Sequence, residues 1–289
     1  MDDRLNEAIL NLKEFHKIDL ENIVPLATGG QKSVFKAYNA LNGEALVLKL
    51  VKPSQDDKER TLREIRAASV INHSRVPKPL ATNADSISSD FIYILEPYVS
   101  GTNLRDYMKD RKFSTSHVIN FIDSMLDILK ECEVKRIVHR DIKPENIIVD
   151  DHGNFWLIDF GISRHLDLES ITNSAAQFAP FSVGYSPGEQ FRNRKRETDS
   201  RSDLFPIGVI AYEMIHGYNF YINETNSLLE IIRKIENQST PVLMIPGDDK
   251  FFLARYIKTL SDNRISRRPR NIDDAIHIFN TVKKNVQGV

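Results

Sequence analysis

The residues best suited to chemistry lie in one short string, residues 139–146, which read HRDIKPEN. The string brings a carboxylate (Asp141), an ammonium group (Lys143) and an amide (Asn146) together within six residues, and a second carboxylate, Asp159, follows in the tripeptide DFG. Carboxylate and amide oxygens are hard ligands that suit Mg²⁺, and lysine acts as a point charge toward phosphate. These residue types could bind a divalent cation and a negatively charged group.

A further lysine, Lys49, lies near the end of a run of β-forming residues, 45–50. Successive side chains of a strand point to opposite faces, so we expect Val47 and Lys49 on one face and the intervening leucines on the other. The dipeptide Asn42-Gly43, which is typical of tight hairpins, separates this run from the β-type run 34–38. The pattern predicts a hairpin that presents Lys49 on a defined face.

The surrounding elements change character along the chain. Residues 2–15 have apolar side chains at helical spacing, which predicts an amphipathic helix that either docks on the domain or binds a partner. Short β-type runs follow as far as residue 95, interrupted by a charged helix over 56–71, and after Gly101 the pattern is mainly helical. In that second part we predict helices over 118–129, 205–215, 227–236, 250–260 and 272–283, and strands over 146–149 and 155–158.

Composition excludes several classes of protein. Lys and Arg number 39 and Asp and Glu 40 among 289 residues, a balance that speaks against a protein devoted to coating nucleic acid. A single cysteine, Cys132, cannot close an intrachain disulfide, so the fold does not depend on an oxidising compartment. The acidic start does not resemble a secretory signal, and the longest apolar stretch, 204–212, is too short to span a membrane. We expect a cytoplasmic protein.

The strings 139–146 and 159–161, with Lys49 and Glu64 upstream in this order, resemble the protein kinase family over roughly residues 20–280. The resemblance implies an α+β fold with two lobes, in which the N-lobe has an antiparallel sheet plus one helix and the C-lobe is mainly helical. We expect an N-terminal helical extension (1–20), an N-lobe (21–97) and a C-lobe (98–285), the two lobes forming a single catalytic domain. The tripeptide 143–145 and the segment 185–190 resemble those of bacterial (Hanks-type) serine/threonine kinases.

The resemblance implies a catalytic role for four residues. Asp141 would accept the proton of the substrate hydroxyl, and Lys143 would neutralise the transferred phosphoryl group. Lys49 would bind the α- and β-phosphates of ATP, oriented by an ion pair with Glu64 or, as the alternative, Glu59. Lys49 and Asp141 would then face one nucleotide across a cleft.

The same resemblance implies a binding site for ATP and Mg²⁺. Asn146 and Asp159 would ligate the metal. The carbonyl of Glu96 and the N–H of Tyr98 would bond the edge of the adenine. The residues that would cover the phosphates or enclose the ring are Leu26, Gly29, Val34, Val47 and Ile148.

Further residues are expected to support this site. Ser182 would bond Asp141 and Lys143, and Asp203 would hold the backbone of the catalytic loop. A buried pair between Glu189 and Arg268 would be structural. We expect Pro206 in the first turn of its helix and His139 packed under residues 159–161. Arg140 would pair with a phosphorylated residue of the activation loop. The residue that is autophosphorylated would be Thr172 or Ser174.

One motif departs from the family, because the loop 26–34 keeps Gly29 but has Ala27 and Lys32 near positions where glycines belong. Alternatives to a protein serine/threonine kinase are therefore a nucleotide-binding scaffold without turnover and a small-molecule kinase of the same fold. Lys143 and Glu189 favour protein substrates with Ser or Thr acceptors. We expect neither a nucleic-acid partner nor a membrane span, and the sequence does not define the oligomeric state.

Overall fold

The computed structural model divides into two compact units, Met1–Ser100 and Gly101–Val289. The description below covers residues 3–28, 32–52, 62, 65, 69–84, 91–111, 113–160, 164–165, 182–192, 198–225 and 227–286.

Unit 1 is built on an antiparallel sheet whose described strands follow the order β1-β2-β3-β5-β4. Asn42-Gly43 forms the turn between β2 and β3 as predicted, and Gly43 takes a φ of 72°, which a side chain would disfavour. Val34 lies opposite Lys49 in this hairpin, and Lys49 lies opposite Ile94 on the next strand. The elements of unit 1 are α1 (Asp3–His16), β1 (Leu20–Thr28), β2 (Lys32–Asn39), β3 (Ala45–Val51), β4 (Ala81–Thr82) and β5 (Ile92–Pro97).

One face of this sheet packs against α1. Leu48 on β3 and Leu12 on α1 are both fully buried in the same apolar cluster, which also contains Leu5 and Ala8. The apolar positions of the N-terminal segment therefore serve to dock the helix on the sheet. The other face packs against Leu62 and the neighbouring helical residue Ile65, so that the two faces have separate partners.

Unit 2 is mainly helical. The described strands form the small sheets β6-β8-β9 and β10-β7. Gly101 has a φ of 146°, and a Cβ there would lie 2.3 Å from the carbonyl oxygen of Val149, so only glycine fits beside β8. The elements are β6 (Thr102–Asn103), α2 (Leu104–Tyr107), α3 (Thr115–Val134), β7 (Ile137–Val138), β8 (Ile147–Val149), β9 (Phe155–Leu157), β10 (Arg164–His165), α4 (Gly188–Phe191), α5 (Arg201–His216), α6 (Leu228–Asn237), α7 (Phe252–Leu260) and α8 (Ile272–Asn285), with 3₁₀ turns at Pro144–Asn146 and Ile265–Arg267.

The most apolar helix, α5, lies at the centre of unit 2. Residues 202–214 are all buried, as expected for a helix that is apolar on every side. A Cβ at Gly208 would lie 2.6 Å from the backbone nitrogen of Ser261, so this glycine permits the close approach of the segment that ends α7. Among the described residues, no helix has both the length and the apolar character needed to cross a membrane.

The position of Pro206 corrects one expectation. Helix α5 begins at Arg201, so Pro206 lies in its second turn and not in its first. The ring removes the N–H that would bond the carbonyl four residues earlier. The sequence suggested a later start because the apolar run begins only at Leu204.

Docking of α1 can be tested by truncating one side chain on each of its faces. We expect Leu12→Ala, at a fully buried position, to destabilise unit 1 by about 2–5 kcal/mol through lost burial and a residual cavity. The matched control, Leu10→Ala, is at a position 53% exposed and should change stability by less than about 0.5 kcal/mol. Hydrogen exchange of the β3 amides measures both. Equal effects of the two substitutions would contradict the docked helix.

Candidate active site

The loop that carries Asp141 is held through its backbone by Asp203. The carboxylate of Asp203 accepts the N–H of His139 at 2.7 Å and that of Arg140 at 2.9 Å, as expected from the sequence. Arg140 itself has a φ of 68°, a conformation that side chains disfavour, so these bonds maintain a strained turn. Burial raises the pKa of Asp203 to about 7, and the two N–H groups oppose that shift.

The carboxylate of Asp141 lies among three polar side chains. Nζ of Lys143 is 2.8 Å from Oδ2 of Asp141, and Nδ2 of Asn146 donates to the same oxygen at 2.9 Å. The hydroxyl of Ser182 donates to Oδ1 of Asp141, and Lys143 donates to that hydroxyl at 3.2 Å. Unit 2 therefore brings together four residues that the sequence singled out.

The position of Ser182 is fixed by its own neighbours. Its N–H donates to Oγ of Ser186 at 2.9 Å, and the amide of Gln190 donates to the carbonyl of Arg140 at 2.6 Å. These bonds tie the segment around Ser182 to the loop that carries Asp141. A serine hydroxyl is thus held on the carboxylate expected to act as the base.

The oxygen atoms expected to bind a metal follow the two strands of one hairpin. Asn146 precedes β8, Asp159 follows β9 by two residues, and the N–H of Ile158 donates to the carbonyl of Asn146 at 2.9 Å. Nδ2 of Asn146 bonds both the carbonyl and the carboxylate of Asp141, so Oδ1 is the amide atom suited to a metal. One carboxylate and one amide oxygen fit Mg²⁺, which retains water and binds substrate phosphates.

His139 packs against Phe160, the residue that follows Asp159. The ring of His139 lies 4.4 Å from that of Phe160, centroid to centroid. Burial lowers the pKa of His139 to about 4, so the imidazole is neutral at pH 7. A neutral buried ring packs against Phe160 and is not suited to act as the proton acceptor.

In unit 1, Lys49 forms a buried ion pair that the sequence did not predict. Its Nζ lies 2.6 Å from Oε2 of Glu96, and the two side chains are only 9% and 10% exposed. The expected partner, Glu64, and its alternative, Glu59, lie outside the described residues, as does Gly29. Their proposed roles stay predictions.

The side chains expected around the adenine are distributed over both units. Val47 lies two residues before Lys49 on β3, and Val34 lies directly opposite Lys49 on β2. All three side chains are therefore on the same face of the sheet. Leu26 lies on β1 and is half exposed. Ile148 lies on β8 of unit 2, opposite Trp156.

The main-chain groups assigned to the adenine require a correction. The N–H of Tyr98 donates to the carbonyl of Ala45 at 2.9 Å, so the sheet already uses it. Hydrogen-bonded pairs alternate along an antiparallel ladder, so Glu96, opposite Val47, also directs its carbonyl toward β3. Pro97, opposite Leu46, directs its carbonyl away from β3. The expected pattern is therefore displaced by one residue.

A second group of residues was missed by sequence reasoning. Arg105 on α2 lies 2.9 Å from Glu145 and 2.5 Å from Glu213, and it also donates to the hydroxyl of Tyr185. That hydroxyl donates in turn to Glu213, and burial followed by the charge of Glu213 raises the pKa of Tyr185. The network links the string 139–146 to the segment after Ser182. Its members are 40 to 108 residues apart from Arg105, and no local pattern marks them.

The pair between Glu189 and Arg268 is confirmed. Nη1 of Arg268 lies 2.6 Å from Oε1 of Glu189, and Ser202 donates to the same oxygen at 3.0 Å. Nε of Arg268 also donates to the carbonyl of Asp262 at 2.8 Å. Both charges are buried, so each depends on the other and on these hydrogen bonds.

The comparison with known families agrees with the fold. Residues 20–271 match the model of the protein kinase domain. The match covers most of the chain, so the chain belongs to the protein kinase family.

Several curated bacterial proteins are similar to this chain. The chain is 27% identical over 253 residues to "Probable serine/threonine-protein kinase PknB" of Bifidobacterium longum, which covers 84% of this chain and 36% of that protein. It is 26% identical over 279 residues to a "Probable serine/threonine-protein kinase" of Clostridium acetobutylicum, and this match covers 95% of this chain and 41% of that protein. For "Serine/threonine-protein kinase PrkC" of Bacillus subtilis the identity is 27% over 194 residues, with 65% and 29% covered. The matched part is thus well under half the length of these relatives.

The importance of the buried pair can be measured by removing one charge. We expect Arg268→Gln to destabilise unit 2 by about 3–5 kcal/mol, because Glu189 is left buried without its cation. The same substitution at Lys135, which pairs with Glu131 at 3.9 Å on the surface of α3, should cost less than about 1 kcal/mol. Urea denaturation followed by the fluorescence of Trp156, the single tryptophan, reports on unit 2. Similar losses for both variants would contradict the structural role of the pair.

Proposed function

We propose that the chain is a protein serine/threonine kinase that transfers the γ-phosphate of ATP to Ser or Thr hydroxyls. The observation that carries this proposal is the serine hydroxyl that donates to Oδ1 of Asp141, with Lys143 beside both groups. The same carboxylate could accept the hydroxyl of an incoming substrate, since that is the geometry a general base requires. Membership of the protein kinase family supports the assignment.

Phosphoryl transfer depends mainly on positioning and on neutralising charge, and the residues of both units suit these tasks. We propose that Asp159 and Oδ1 of Asn146 hold Mg²⁺, which when bound would neutralise charge on the phosphates. Asp141 would orient the acceptor hydroxyl and take its proton. Lys143 would stabilise the transferred group, and Lys49 would bind the α- and β-phosphates, with Glu64 as a further partner.

The adenine would be bound by main-chain groups that the sheet leaves available. We propose the carbonyl of Pro97 and the N–H of Val99, one residue beyond the groups that the sequence indicated. Leu26, Val34, Val47 and Ile148 would enclose the ring, and Gly29 would approach the phosphates. We propose that the domain acts on protein substrates in the cytoplasm and has no nucleic-acid partner.

We further propose autophosphorylation at Thr172 or Ser174, which lie outside the described residues. The proposal rests on Arg140, which in the family often pairs with a phosphorylated residue of the segment after Gly161. A phosphate in that segment would add a charge-assisted hydrogen bond at the strained turn that Asp203 maintains.

A label-transfer assay with γ-³²P-ATP, Mg²⁺ and a generic protein substrate tests the activity. We expect Asp141→Asn to lower incorporation by about 10²- to 10⁴-fold, because the amide cannot take the hydroxyl proton. The same substitution at Asp151, exposed in the turn between β8 and β9, should leave incorporation unchanged. Mass spectrometry of the wild-type protein after incubation with Mg-ATP should locate phosphate at Thr172 or Ser174.

The outcomes separate the alternatives. If neither wild type nor Asp141→Asn incorporates label while both still bind ATP, the protein is a nucleotide-binding scaffold. Label that passes only to small molecules would indicate a small-molecule kinase. Label transfer without phosphate between Ser163 and Ser174 would contradict only the proposed sites of autophosphorylation.

A further inference from the structure

The side chain of Glu96 forms a buried ion pair with Lys49. We infer that Glu96 is a positioning residue, whose carboxylate holds the ammonium group of Lys49 in place from the neighbouring strand. The inference rests on the proposed function, in which Lys49 binds the phosphates of ATP.

The register of β3 and β5 places these two side chains together. Val47 lies opposite Glu96 and Lys49 lies opposite Ile94, so Lys49 and Glu96 are diagonal neighbours on one face. Diagonal neighbours in an antiparallel pair are within reach of long side chains. The 2.6 Å between Nζ and Oε2 is the distance of a charge-assisted hydrogen bond.

Burial makes this carboxylate unusual for its position. Glu96 is 8% exposed and follows the fully buried Leu95, near the end of a strand whose other residues are apolar or aromatic. A buried carboxylate is costly unless it is paired, and replacing a buried ion pair with apolar residues is often neutral or stabilising. Stability alone therefore gives no reason for a glutamate here, whereas positioning of the lysine does.

The pair also holds Lys49 from within the sheet itself. Lysine has a flexible four-carbon stem, and restricting it costs conformational entropy. Because β3 and β5 are hydrogen-bonded neighbours in one sheet, the carboxylate and the ammonium group are held by the same rigid element. A lysine placed in this way has lost part of its conformational entropy before the phosphates bind. A second lysine on the same face, Lys36, is placed instead over the ring of Tyr98, 4.0 Å from its centroid.

The test compares Glu96→Gln and Glu96→Asp with the matched control Glu44→Gln. Glu44 is exposed and lies in the hairpin turn, one residue before β3. The measured quantities are kcat/KM for ATP with a protein substrate and the Kd values of ATP and adenosine. We expect Glu96→Gln to lower kcat/KM for ATP by about 10- to 100-fold, the loss expected for a charge-assisted hydrogen bond. Its Kd for adenosine, which has no phosphates, should be unchanged.

Glu96→Asp keeps the charge on a stem one methylene shorter, so its kcat/KM should lie between those of Glu96→Gln and wild type. Glu44→Gln should match wild type. If Glu96→Gln fails to fold, as judged by circular dichroism, the Glu96→Asp comparison decides the question alone.

Two results would overturn the inference. One is wild-type kcat/KM in the Glu96 variants, and the other is an equal weakening of ATP and adenosine binding, which indicates a structural role only. Lys49→Met separates this inference from the proposed function. If Lys49→Met is inactive while the Glu96 variants equal wild type, only the inference fails. If Lys49→Met remains active, the role of Lys49 in phosphate binding fails, and the inference fails with it.

Discussion

The carboxylate of Asp203, buried in the centre of unit 2, determines the shape of the loop that carries Asp141. It accepts the N–H groups of His139 and Arg140, and the left-handed turn at Arg140 then directs Asp141 toward Lys143 and Asn146. The carboxylate is fully buried on α5, the helix that the rest of unit 2 surrounds. The loop is therefore anchored to the best-packed element of the unit, and a catalytic group can be placed accurately only on such a support.

Charged side chains in each of the two units are compensated by neighbours that keep them in place. Lys143 lies beside Asp141, Arg268 beside Glu189, and Lys49 beside Glu96. Preorganised charges require little rearrangement when a phosphate group arrives, which is the main protein contribution to phosphoryl transfer. The partially exposed pair at Asp141 is open to a substrate, whereas the buried pair at Glu189 maintains the fold.

The sequence was most informative where the signal is local. The string 139–146 identified Asp141, Lys143 and Asn146, and the strand alternation around Lys49 gave the correct buried face because Leu48 and Leu50 are both in the core. The turn at Asn42-Gly43 and most helices were also predictable from periodicity and turn chemistry.

The remaining elements depend on contacts between distant residues. Arg105 reaches Glu213 across 108 positions, and the partner of Lys49 follows from the register of β5, which no local pattern specifies. The assignment of the Tyr98 N–H failed for the same reason, since one residue of register reverses the direction of every main-chain group.

The most direct measurement is a crystal structure of the protein with Mg²⁺ and a non-hydrolysable ATP analogue. We expect the metal to be ligated by Asp159 and by Oδ1 of Asn146, Lys49 to contact a phosphate oxygen, and the terminal phosphate to lie beside Asp141 and Lys143. A metal bound by other side chains, or an analogue whose terminal phosphate lies away from Asp141, would contradict the proposed phosphoryl transfer.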